Sequence, residues 1–104
     1  MYARVYDIKF TKLAAKDYDL LEKSGLQRKR DELIEIVEKN PFQNPPPYKS
    51  LKGERKGVYS RRINIKHRFV YSVLPNADMA KDENGEPYDG IVKIISMWTH
   101  YERM

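Results

Sequence analysis

An α+β fold is predicted: two N-terminal helices packed on one face of a mostly antiparallel sheet, in the order β-α-α-β-β-β. Three observations carry this. The chain opens on a stretch rich in Tyr, Val and Ile; two stretches of helical periodicity follow; and the β-prone segments gather after a proline-rich break at residues 41–47. The chain has 104 residues, which suits one domain spanning 1–104. No internal repeat or low-complexity tract divides it.

Residues 2–9 read as the first strand. Tyr2, Arg4, Tyr6 and Ile8 alternate imperfectly with apolar neighbours, which suits a strand buried on both faces or central in a sheet. Thr11 is a helix cap, because its hydroxyl can accept from a free first-turn N–H. Leu13, Ala14, Asp17, Leu20 and Leu21 recur at helical spacing, and Gly25 is the stop. A second helix is expected from Leu26 to Lys39, with Leu26, Lys29, Leu33, Ile36 and Val37 inward and Lys29 its weak point. Asn40-Pro41 ends it, since the residue before proline avoids helical dihedrals.

The segment PFQNPPP, 41–47, reads as a stiff extended connector crossing the surface. A short strand starts near Leu51. Val58–Ile65 and Arg68–Val73 are β-prone, and Asn64–His67 is short enough to join them as a hairpin. Leu74–Gly90 is a long acidic connection, and Ile91–Trp98 is the last strand, running into Thr99-His100-Tyr101. Alternation puts Ser60, Arg62 and Asn64 on one face of their strand, and Tyr59, Ile63 and Ile65 with Arg61 on the other. The second set is the core face. Arg62 and Arg68 therefore meet on the open face of the sheet.

Hydrophobic residues make up 40% and charged residues 34%, a soluble globular composition. With no cysteine, disulfides, thiolate nucleophiles and Cys-based zinc sites are excluded. No apolar run approaches membrane-spanning length, and the N-terminus lacks a signal-peptide layout, so a cytoplasmic location is expected. The net charge is +5. From Pro47 to Ser72, eight basic residues face the single acid Glu54, a local surplus of +7 that leaves −2 for the rest. Such a cluster attracts nucleic-acid backbone, or else is a solvated basic face with no dedicated ligand.

The runs Leu51-Lys52-Gly53, Gly57-Val58-Tyr59-Ser60-Arg61-Arg62-Ile63-Asn64-Ile65, His67-Arg68-Phe69-Val70-Tyr71 and Thr99-His100-Tyr101, with Asn40-Pro41-Phe42 and Pro45-Pro46-Pro47-Tyr48 upstream, together resemble the Txe/YoeB family of toxins. That family is a branch of the RelE-like ribonucleases of bacterial toxin–antitoxin systems. The likeness spans nearly the whole chain except the acidic connection. It implies a RelE-like fold and a toxin that enters the decoding site of a translating ribosome and cuts the messenger RNA. The implied reaction is attack of the RNA 2′-hydroxyl on the adjacent phosphate, with no metal or other cofactor. Its implied partners are a cognate antitoxin, the ribosome and mRNA, in a homodimer or a toxin–antitoxin hetero-oligomer.

This chemistry needs a base for the 2′-hydroxyl, a cation for the phosphorane and an acid for the leaving oxygen. Arg68 is the expected cation, since its fork of donors matches phosphate oxygens, and Lys52 adds a second charge. Arg61, Arg62, Arg55 and Lys56 are expected to hold the RNA backbone. His100 is the natural acid, with an ordinary pKa of about 6.5, and Tyr101 is expected to stack on a base or donate to phosphate. His67 is a turn or packing residue. The family's usual glutamate, two residues before the leucine of the Leu-Lys-Gly motif, is Lys49 here. A lysine, with a reference pKa of about 10.4, is no base unless strongly perturbed.

Three readings of Lys49 follow. It is a base depressed by surrounding positive charge, as the resemblance to other RelE-like members implies; it only stabilises charge, with slow turnover; or the chain is a detoxified variant. Alternatives for the whole protein are a non-cleaving member that binds antitoxin or ribosome, and a ParE-like gyrase inhibitor.

Overall fold

The computed structural model describes residues 6–51 and 57–98. Strand β1 (Tyr6–Phe10) leads into helices α1 (Lys12–Lys23) and α2 (Gln27–Lys39), followed by strands β2 (Tyr48–Leu51), β3 (Val58–Arg62), β4 (Arg68–Leu74) and β5 (Gly90–Ser96). The five strands form one sheet in the order β1-β5-β4-β3-β2. Among the described strands only the β1–β5 pair is parallel. Both helices lie on one face, α1 against β5 and β1, and α2 against β1. The α+β expectation stands, with β2 starting at Tyr48 rather than near Leu51. No helix among the described residues is long and apolar enough to cross a membrane.

Thr11 caps α1 as its position predicts. Its Oγ1 accepts from the Ala14 amide at 3.0 Å and donates to the Ile95 carbonyl at 2.8 Å, tying the helix start to β5. At the other end Gly25 takes φ +77°, and the Leu26 and Gly25 amides return to the Leu21 and Glu22 carbonyls. This left-handed termination needs glycine. Of the predicted α1 stripe, Ala14, Asp17 and Leu21 are buried, while Leu13 and Leu20 face solvent. In α2 the inward set is Arg30, Leu33 and Val37. Arg30, not Lys29, is the interior cation: it lies 3.6 Å over the Tyr18 ring and pairs with Glu22 and Asp31 at 2.8 Å each.

The core joins Ala14, Leu21, Leu33 and Val37 to Phe69, Tyr71, Val92 and Ile94 of the sheet. Among the described strands β1 lies at the sheet edge, paired only with β5 rather than central, and residues 2–5 of the predicted strand lie outside the described residues. β3 stops at Arg62, so Ile65 does not reach the core and stands 81% exposed in the turn. That turn is organised by Asn64, whose Oδ1 accepts from the Lys66 and His67 amides at 2.9 and 2.7 Å. The acidic connection is built in the same way. Asn76 binds the Ala80 and Tyr88 carbonyls, and Asp82 accepts from the Asn84 and Glu86 amides.

Candidate functional site

Register decides what the open face displays. Lys49 lies opposite Ser60, and Arg62 lies opposite Arg68. Residues 60 and 62 share a face of β3, so all four side chains stand on the side away from the helices. They line one groove of about 300 Å³ together with Pro47, Tyr48 and Leu51. Two arginines directly opposite each other repel, which is tolerated where an anion can bridge them. Arg68 is braced from behind. Its Nη1 donates to the carbonyls of Asn64, Ile65 and His67 at 3.0, 3.3 and 3.3 Å. Among the described residues its Nε and Nη2 have no hydrogen-bond partner.

Lys49 and Arg62 are exposed and Arg68 is half-buried. The predicted meeting of Arg62 and Arg68 on one surface is therefore present, and Lys49 joins them. Arg61 is a correction. It was expected to hold RNA, yet it is 1% exposed, and its guanidinium is spent on the carbonyls of Pro46, Pro41 and Gln43 at 2.6, 3.0 and 2.9 Å and on the Tyr71 hydroxyl at 3.2 Å. The physical reason is strand alternation, which turns residue 61 into the core side when residue 62 faces out. The proline segment is corrected with it. Rather than crossing the surface extended, it curls so that three of its carbonyls converge on one side chain.

Lys52, Arg55, Lys56, His100 and Tyr101 lie outside the described residues. His67 packs as expected, buried and stacked on Trp98 with ring centroids 3.9 Å apart. α1 reaches the same end of β5, where Asp17 accepts from the Met97 amide at 2.9 Å. Tyr48 and Pro47 are groove residues that the sequence reading did not single out. Their signal was adjacency to Lys49, usable only once β2 was known to start at Tyr48.

A larger concavity, about 760 Å³, lies between β1 and the helices, lined by Ile8, Phe10, Tyr18 and Ile34 with Asp31, Glu35 and Glu38 along it. Its carboxylates repel a polyanion, so it is not where nucleic acid would bind.

A family model described as a YoeB-like toxin of bacterial type II toxin–antitoxin systems matches residues 10–101. The chain belongs to that family. The toxin is 31% identical over 98 residues to Toxin YoeB of Synechocystis sp., covering 92% of this chain and 98% of that one. Among solved structures it is similar to the YoeB/ParE toxin from Agrobacterium tumefaciens, with TM-score 0.73, 26% identity, and coverage of 91% of this chain and 99% of that one. It is also similar to YoeB from Staphylococcus aureus, at 30% identity in both of two structures. The dimer gives TM-score 0.68 with 93% and 99% coverage, and the YoeB–YefM complex gives 0.66 with 95% and 100%. As a YoeB-like member the chain is a type II toxin.

Proposed function

We propose that this toxin is a ribosome-dependent endoribonuclease that cuts mRNA in the cytoplasm by attack of a 2′-hydroxyl on the adjacent phosphate. The observation that carries this reading is the convergence of Lys49, Arg62 and Arg68 on one groove. A phosphate seated there meets the free edge of the Arg68 fork, which takes up charge as the phosphorane forms. Arg62 holds the neighbouring backbone, with Arg55 and Lys56 as further contacts and Lys52 as a second charge. Lys49, as the neutral amine, takes the 2′-hydroxyl proton as the 2′-oxygen bonds to phosphorus, and His100 gives its proton to the departing 5′-oxygen as the P–O5′ bond breaks, leaving a 2′,3′-cyclic phosphate and a 5′-hydroxyl; Tyr101 stacks on a base or donates to phosphate. With cations supplying the charge stabilisation, the mechanism calls for no metal. A cognate antitoxin is the protein partner, as YefM is for the staphylococcal YoeB, and a homodimer is the second assembly on the same ground.

One observation favours a second reading. Among the described residues lining the groove there is no carboxylate, and Lys49 holds the position that the resemblance gives to the family's usual glutamate. A chain so built binds ribosome or antitoxin and cleaves slowly or not at all.

Primer extension on a translated message separates the readings. Cleavage by the natural chain, reduced about 10²–10³-fold by Arg68→Ala and about 10²–10⁴-fold by His100→Ala, supports the nuclease. Cleavage appearing only with Lys49→Glu supports the non-cleaving reading. No cleavage in any variant, together with inhibition of gyrase, overturns both in favour of a ParE-like toxin.

A further inference from the structure

Arg61 is the largest fully buried side chain of the described residues, and among them it is paired with no carboxylate. A buried cation is costly unless its donors are satisfied. Here three carbonyls and one phenol satisfy them. The carbonyls come from a segment with prolines at 41, 45, 46 and 47, which have no N–H and cannot enter a ladder. Tyr71 completes the lashing by donating from its hydroxyl to the Pro41 carbonyl at 2.6 Å. Only a planar fork of five donors reaches so many acceptors at once.

The other side of the same residue is the groove. Arg61 pairs across the sheet with Tyr48, whose chain neighbours Pro47 and Lys49 both line the groove, as do the neighbours of Arg61, Ser60 and Arg62. The Pro46 carbonyl that Arg61 holds at 2.6 Å is one residue from the groove wall. Among the described strands β2 is a four-residue edge strand with a single partner, so its own ladder holds it weakly.

We infer that Arg61 is a positioning residue: its buried guanidinium fastens the proline segment under the sheet and thereby sets Pro47 and Lys49 across from Arg62 and Arg68. The catalytic consequence rests on the nuclease reading; the fastening does not. Lysine at this position keeps the charge and most of the stem but cannot span the four acceptors. It should loosen the β2 wall and leave the cationic wall of β3 and β4 in place.

The test uses the full chain carrying Arg61→Lys, with Tyr71→Phe as the milder variant should Arg61→Lys not fold. Amide hydrogen exchange is read strand by strand. Cleavage on programmed ribosomes is read as rate at saturation and as half-saturating concentration. The expected result is exchange of the Lys49–Leu51 amides faster by about tenfold with β4 and β5 unchanged, and a smaller rise at the same amides in Tyr71→Phe. The saturated cleavage rate should fall by about 10²-fold while half-saturation stays within about twofold. Exchange that rises equally in all strands, or not at all in β2, overturns the inference, as does a loss confined to half-saturation. A natural chain that cleaves nothing sinks the nuclease reading alone, and the exchange pattern still decides the role of Arg61.

Discussion

The hydroxyl of Tyr71 belongs to a side chain with no exposed surface, and it both accepts from Arg61 Nε and donates to the Pro41 carbonyl. Burial pushes the phenol above its ordinary value of 10.0, and the neighbouring Arg61 charge offsets part of that rise. A group whose folded pKa is raised contributes stability that is complete below the unfolded value and is lost as pH climbs through the folded one. Tyr71→Phe should therefore cost about 1–3 kcal/mol at pH 7, from the Pro41 carbonyl and an arginine donor left unsatisfied. The gap between the two chains should then narrow above pH of about 10, where the phenol of the unfolded chain begins to ionise while the folded one still holds its proton. Urea unfolding of both at neutral and alkaline pH measures this; a gap that stays constant would mean that the phenol proton contributes nothing. The same residue scale explains the sharpest misreading of the sequence. Arg61 and Arg62 are adjacent and chemically identical, and a charge count credits both to the basic surface. Strand alternation, readable in the sequence, already separates them, sending Arg61 to the core and Arg62 to the groove, and the charge count overrides it.

At the scale of elements, boundaries set by local chemistry were legible. The Thr11 cap, the Gly25 stop and the Asn40-Pro41 end all lie where side-chain and backbone preferences put them. The hairpin joining β3 to β4 was legible too, and so was the shared face of Arg62 and Arg68, because alternation alone fixes it; their direct pairing needed the register. What required tertiary contacts was not. Leu13 and Leu20 match the helical period, but the helix meets only one flank of the sheet, and their edge of the stripe faces water. Arg30 is buried because Tyr18 lies beneath its guanidinium on the neighbouring helix, a contact invisible to periodicity within α2. The edge position of β1 follows from its parallel pairing with β5, a strand more than eighty residues away, to which no local signal refers. Thr11 sits on that junction, capping α1 with one lone pair and bonding β5 with its proton. Thr11→Ala should cost about 1–2 kcal/mol, at the upper end for a cap because the Ile95 carbonyl also loses its donor. Thermal unfolding reads this directly. Thr11→Ser, which keeps both hydrogen bonds, should recover most of the loss, and failure to do so would place the cost in the lost methyl instead.

Across the whole molecule, charge is divided between the two edges of the sheet. The cationic groove sits on β2, β3 and β4, whereas the carboxylates of Asp31, Glu35 and Glu38 line the concavity beside β1, at the far end of the strand order. Two to four strand spacings separate β1 from the groove strands, roughly 10–19 Å, or about one to two screening lengths at physiological salt. A polyanion is thus drawn to the β2–β4 side with the acidic side largely screened. Each phosphate neutralised by a single-stranded ligand contributes about −0.7 to the slope of log affinity against log salt. Lys49, Arg62 and Arg68 together should give a slope of about −2, made steeper by any contact from Lys52, Arg55 or Lys56. Arg62→Ala should flatten it by about 0.7 while leaving the fold intact, because the side chain is exposed and packs against nothing in the core. Glu35→Gln, on the acidic edge, should leave the slope where it was. Fluorescence anisotropy with a 2′-O-methyl single-stranded RNA, which cannot be cut, measures both across a potassium chloride series. If Arg62→Ala and Glu35→Gln change the slope alike, the attraction comes from net charge rather than from the groove, and the groove loses its claim to the RNA.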